Sequence, residues 1–226
     1  MKCWICGDEA STGEHRTKKS DMRAIFGHVR QTKPLYWNAS TLRNQQVKGL
    51  DTRILKFNDV LCSRCNNERT QPYDRAWEKL SKYLRSKPTL KGGDRIDLGK
   101  VFPGSVHRSM LQVHLFFVKL FGCSIVENSI PIDISGFSKA ILHNTAHPKI
   151  HLAISPYTDG STFGSAGHSD LDTAQLNGRI VYATWLYILD RFSIRVMYAE
   201  PTEHRKGLID SWHPSSIRKC LHVSTF

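Results

Sequence analysis

The chain has 226 residues, 40% of them hydrophobic, and a formal net charge of +12. It is long enough for one large domain or two small ones with a real core, and its charge favours an anionic partner, nucleic acid before others. The most apolar run, residues 111–121, is broken by His114 and Lys119, so no membrane span is expected.

The first feature in chain order is a C-W-I-C knuckle made by Cys3 and Cys6. Gly7 follows it and suits a tight turn, since glycine accepts positive φ. Glu14 and His15 come next, in T-G-E-H. Residues 11–33 are polar and basic, with a short helix expected over residues 20–26 and Ser20 or Asp21 as its cap. Residues 34–50 read as irregular. Residues 52–61 alternate and read as a strand entering a second knuckle, C-S-R-C, formed by Cys62 and Cys65. Beyond it the pattern is helical: Trp77, Leu80 and Leu84 recur at helical spacing, with a break expected at Pro72 and Asp74.

Residues 86–106 carry Pro88, Gly92, Gly93, Pro103 and Gly104, and the charge balance shifts there. Residues 1–91 hold 19 Lys or Arg against 9 Asp or Glu, whereas residues 92–226 hold 13 against 11. A boundary is therefore expected near residue 92, dividing the chain into domains 1–91 and 92–226. In the second part, helices are expected over residues 106–121 and 135–144 and a strand over 150–154. Residues 178–200 read as two long strands turning at Asp190 and Arg191, the first apolar on both faces and hence central. The fold class is α+β, with an antiparallel sheet in the second part.

Four of the six cysteines sit in C-x-x-C pairs, while Cys123 and Cys220 stand alone. No basic-then-apolar leader precedes Cys3, so the expectation is a reducing cytoplasm and not a disulfide framework. Two such pairs can supply the four thiolates of one structural zinc, stapling the ends of a long loop. A redox C-x-x-C needs no second pair and normally follows a strand in a βαβ unit, so zinc is the stronger reading.

Taken together, C-W-I-C, then T-G-E-H, then F-N-D-V-L-C-S-R-C-N-N-E-R-T-Q-P-Y-D resembles the HNH (ββα-metal) nuclease superfamily in its four-cysteine zinc form, over about residues 1–85. The resemblance implies a ββα-metal domain. It implies that His15 activates water, that Glu14 and Asn66 hold a catalytic magnesium or manganese ion, and that Asn58 positions the histidine backbone. Glu14 stands where aspartate is commoner in that family, and the longer spacing from His15 to Cys62 implies an insertion around residues 35–49. The implied activity is hydrolysis of DNA phosphodiester bonds, with RNA as an alternative substrate. The chemistry is coherent, because imidazole titrates near neutrality and oxygen ligands suit hard divalent ions.

Each residue also has a plain structural reading. A Glu-His pair is ordinary on a solvated surface, and an asparagine after a cysteine pair often caps a helix. The alternative is therefore a catalytically inactive zinc-dependent nucleic-acid binding module or complex subunit. Lys18, Lys19, Arg23 and Arg30, with Arg64, Arg69 and Arg75, are the candidate phosphate contacts. The second part is expected to set specificity, bind a protein partner or form a homodimer. His143, His147 and His151 recur at helical spacing, but Pro148 interrupts them, so hydrogen-bonded histidines are expected there and not a second metal site. The loop containing Ser161, Thr162, Gly164 and Ser165 lacks the G-K-[ST] ending of a phosphate-binding loop. Trp185, Tyr187 and Tyr198 read as packing residues of the sheet.

Overall fold

A computed structural model describes the chain except for residues 40–41, 159–163, 202–207, 209, 217–218 and 226. Ser161 and Thr162 of the small-residue loop lie outside the described residues. An N-terminal region carrying the four knuckle cysteines is followed by a mixed region built on a five-stranded antiparallel sheet.

Helix α1, Lys19–Phe26, begins one residue earlier than its sequence suggests, so Asp21 falls in its first turn and points inward. The helix stops at Gly27, whose φ of 70° is the left-handed backbone that glycine tolerates best. Residues 34–50 are not wholly irregular: Leu35–Trp37 (β1) pairs antiparallel with Gln45–Val47 (β2). Residues 52–61 do not form a continuous strand. A 3-10 turn occupies Arg53–Leu55, and single antiparallel bridges join His15 to Lys56 and Thr12 to Leu61. Gly13 allows that approach, since a Cβ there would stand 2.5 Å from the Phe57 carbonyl oxygen.

After the second knuckle, Arg64–Arg69 is π-helical and α2 runs over Gln71–Arg85. The break comes at Thr70, whose hydroxyl donates to the Cys65 and Asn66 carbonyls at 3.0 and 3.1 Å. Pro72 sits inside the first turn of α2, where its missing N–H costs nothing. Tyr73, Ala76, Trp77, Leu80 and Leu84 form the buried stripe of that helix.

Strand β3 (Arg95–Asp97) leads into a short turn of helix, α3 (Leu98–Val101), and then into α4 (Val106–Glu127). Helix α4 is long and apolar enough to cross a bilayer, but here it is the central core helix, with every residue from Val113 to Ile125 buried. Helix α5 (Ser135–His143) packs against it. The sheet then forms from β4 (Ile150–Pro156), β5 (Ala166–His168), β6 (Asp172–Leu176), β7 (Arg179–Leu189) and β8 (Phe192–Ala199). Its order is β4-β8-β7-β5, with β6 also paired to β7, so β7 is central as its sequence suggests. The β7–β8 hairpin turns through Asp190, at φ 52°, and Arg191. Strand β9 (Cys220–His222) returns to pair with β3.

The apolar core is continuous across residue 92. Trp77 of α2 stacks on Phe116 of α4 at 5.4 Å and meets the edge of Tyr187 of β7 at 5.6 Å. Below this cluster Asp21 is completely buried, yet it accepts hydrogen bonds from Trp77 Nε1 and Ser81 Oγ, both at 2.7 Å, and from Arg85 at 3.0 Å. A buried carboxylate is tolerated only with such a full set of donors.

Candidate metal centre and the Glu14 cluster

The four Sγ atoms of Cys3, Cys6, Cys62 and Cys65 lie within 4.8 Å of one another. Gly7 closes the first knuckle at φ 84°, and its N–H donates to the Cys3 carbonyl at 2.8 Å. In the second knuckle the Cys65 N–H points at the Cys62 sulfur at 3.4 Å. Tetrahedral zinc with bonds of about 2.3 Å separates its sulfurs by about 3.8 Å. The Cys6 and Cys62 sulfurs stand 3.6 Å apart, which fits. Burial pushes the Cys6 thiol up to about 11 and raises Cys65 further. Burial also opposes ionisation of Cys62, but hydrogen bonds from Cys65, Cys6 and Cys3 together outweigh it and lower that thiol. The donor set is that of a zinc-binding module, and a bound cation supplies the charge that four clustered thiolates lack.

Glu14 and His15 are neighbours in the chain but face different surroundings. Glu14 is buried, and its Oε2 accepts from the Lys119 ammonium at 3.0 Å. That ammonium also donates to Asp74 Oδ1 at 3.0 Å and to Thr70 Oγ1 at 3.4 Å. Asp74 in turn meets Lys18 at 3.2 Å. Lys119 is fully buried; burial alone would lower its pKa, but Glu14 and Asp74 outweigh that and the net shift is upward. The position between two carboxylates and a hydroxyl is therefore filled by a positive charge carried on α4.

His15 lies half-buried, with Nε2 2.9 Å from the Leu50 carbonyl oxygen and 3.8 Å from Asp51 Oδ1. A carbonyl only accepts, so Nε2 carries the hydrogen, and in the neutral ring this leaves the lone pair on Nδ1. Burial lowers the His15 pKa, with the Leu50 carbonyl opposing the shift. Asn66 Nδ2 donates to Thr12 Oγ1 at 3.3 Å. Among the described residues no hydrogen bond or ion pair links Glu14, His15 and Asn66 to one another. The backbone N–H of Asn58 donates to Glu127 at 2.8 Å, and the residue is exposed.

The seven basic candidates separate into two groups. Lys18 is drawn into the Asp74 cluster, Lys19 is paired with Asp51, and Arg69 is half-buried. Arg23, Arg30, Arg64 and Arg75 are exposed. The residues absent from the sequence reading of the site are Lys119, Asp74 and Thr70. Their one visible signal was a lysine in the middle of an apolar helix, which has to find a counter-charge once that helix is buried.

His151 comes close to another imidazole, and His147 meets His114 and His213 through its backbone N–H and carbonyl. The His114 and His213 rings are 5.2 Å apart, and those of His151 and His213 are 5.6 Å apart. The only four-residue set among the described residues with metal-ligand geometry is the cysteine cluster.

No protein-family model, curated protein or solved structure matches this chain.

Proposed function

We propose that the protein is a zinc-stabilised nucleic-acid binding module whose nuclease-like site is closed. The observation that carries this reading is the Lys119 ammonium against Glu14. A carboxylate committed to an internal cation is a poor ligand for a dissociable divalent ion, because binding the ion would mean expelling a fully buried ammonium. The net charge of +12 supports a polyanionic partner. DNA is the first candidate and RNA the second, and phosphate attraction alone does not distinguish them.

A second reading, metal-dependent endonuclease of the HNH type, is favoured by the tautomer of His15. An imidazole that donates through Nε2 to a carbonyl is oriented and keeps a basic Nδ1. In that reading Glu14 and Asn66 hold magnesium or manganese, and Lys119 leaves Glu14 when substrate binds.

One experiment separates the two. Zinc-loaded protein is titrated with labelled duplex and single-stranded DNA and RNA at rising salt and, in parallel, incubated with supercoiled plasmid in magnesium, manganese or EDTA. Salt-steep binding without divalent-dependent cutting is expected. Divalent-dependent nicking that disappears in His15→Ala gives the endonuclease reading instead. Absence of binding even at low salt removes both.

A further inference from the structure

The positive charge is concentrated far more than a division at residue 92 indicates. Residues 16–56 hold ten lysines and arginines against two acids, a net of +8 out of +12. Neither acid is a free anion, because Asp21 is buried beneath Trp77 and Asp51 is paired with Lys19. Arg23, Arg30, Lys33, Arg43, Lys48 and Arg53 are all exposed and make no ion pair among the described residues.

The same segment walls a cleft. Helix α1 and the β1–β2 hairpin face strand β5 across a space of about 880 Å³, lined by Phe26, Leu35, Tyr36, Trp37 and His168, with Lys33 among its lining residues. A second cleft of about 430 Å³ adjoins it through Trp37, Asn38 and His168, and Arg43 and Asp170 line that one. Trp37 is the one tryptophan of the five that is not buried, and Tyr36 is 61% exposed. The Trp37 and His168 rings stand 5.9 Å apart. His168 Nδ1 donates to the Ser169 carbonyl at 2.9 Å, which in the neutral ring leaves the lone pair on Nε2, a buried atom without a hydrogen-bond partner among the described residues. A half-buried tryptophan in the wall of an apolar cleft, with Lys33 and Arg43 lining that cleft and its neighbour, matches a ligand with a flat π-face and a phosphate.

We infer that this cleft receives an unpaired base of a single nucleic-acid strand. Trp37 forms the stacking surface, and Lys33 and Arg43 hold the flanking phosphates. The inference rests on the nucleic-acid reading above and specifies the state of the strand. Stacking on an aromatic side chain tolerates any base, so base presence is read here and base identity is not.

The test uses the full, zinc-loaded chain and single-stranded DNA of about twelve nucleotides, beside the same strand with abasic sites replacing its central bases. RNA of the same length forms a second arm. The base-bearing strand is expected to bind roughly tenfold more tightly, with quenching of Trp37 fluorescence, and both strands should share one salt slope. Trp37→Ala should abolish the tenfold difference and leave the slope unchanged, whereas Trp37→Phe should retain most of it. Trp37→Leu, which keeps apolar bulk against the hairpin but cannot stack, gives the same reading should Trp37→Ala disturb the fold. Equal binding of the two strands, or a difference that survives both Trp37→Ala and Trp37→Leu, overturns the proposal while leaving salt-dependent binding intact. Loss of binding to every strand instead overturns the reading on which it rests.

Discussion

The ammonium of Lys119 sits 3.0 Å from the carboxylate of Glu14, although the two residues are 105 positions apart in the chain. The contact crosses from the knuckle region to the central helix, and it decides what the Glu-His dipeptide can do. Removing one member of a buried ion pair leaves the other uncompensated, at a cost of about 3–5 kcal/mol. Lys119→Met should lower stability by that amount, because Glu14 and Asp74 would then face each other without a cation. The triple variant E14Q/D74N/K119M should recover much of the loss. Urea unfolding of the two variants checks this; similar stability of the single variant and wild type would show that the pair is not an energetic unit.

Acidification should weaken the second part of the fold. Burial pushes His147 down to about 4 and lowers His114 and His151 as well. An unfolded histidine titrates near 6.5, so between there and about 4 the unfolded chain takes up protons that the folded chain refuses. Stability is therefore complete above about pH 6.5 and falls as pH drops through that window, with His147 alone worth on the order of 3 kcal/mol. Asp21, raised by burial, acts in the opposite sense at the lower end. Urea midpoints from about pH 7.5 to pH 4.5 should decline, and His147→Gln should flatten the curve.

The cysteine cluster should hold one zinc ion. Cys6→Ser should lower zinc affinity sharply and loosen residues 7–61, the loop that the cluster closes. Metal content and amide exchange provide the readout. Wild-type protein with no bound zinc and unchanged exchange in the variant would remove the stapling role.

Trp4 and Gly122 form a close contact between the first knuckle and α4. A Cβ at position 122 would lie 2.7 Å from the Trp4 ring. Gly122→Ala should cost about 1–3 kcal/mol through overpacking. A smaller ring should relieve it, so Trp4→Phe made in the Gly122→Ala background should be less damaging than in wild type. Thermal unfolding of the four proteins gives the coupling, and simple additivity would mean that the ring moves aside freely.

What could be read from the chain beforehand follows the range of the interactions concerned. The knuckles, the Trp77–Leu80–Leu84 stripe and the β7–β8 hairpin are each specified by a few neighbouring residues, and each is present. Residues 52–61 alternate like a strand, yet they meet their partner through single bridges, because Thr12 and His15 are three positions apart while their partners Leu61 and Lys56 are five, so no continuous register runs between them. The Lys119–Glu14–Asp74 cluster could not be read locally. It exists because α4 is threaded between the knuckle region and the sheet, and only that packing makes a mid-helix lysine a counter-ion. The residue-92 boundary rests on glycine, proline and charge, whereas Trp77, Phe116 and Tyr187 meet across it.

The Lys119 contact also bears on how the polypeptide is made. Synthesis proceeds from the N-terminus, so Glu14 and Asp74 leave the ribosome long before their counter-ion does. Until α4 emerges, the knuckle region has two carboxylates with no buried cation and a Trp77 ring with no Phe116 to stack on. The thiol cluster can close early, but the walls around it are completed only by a helix still inside the exit tunnel. A nascent chain halted before residue 119 would therefore leave Glu14, Asp74 and Trp77 open to water where the finished protein is dry.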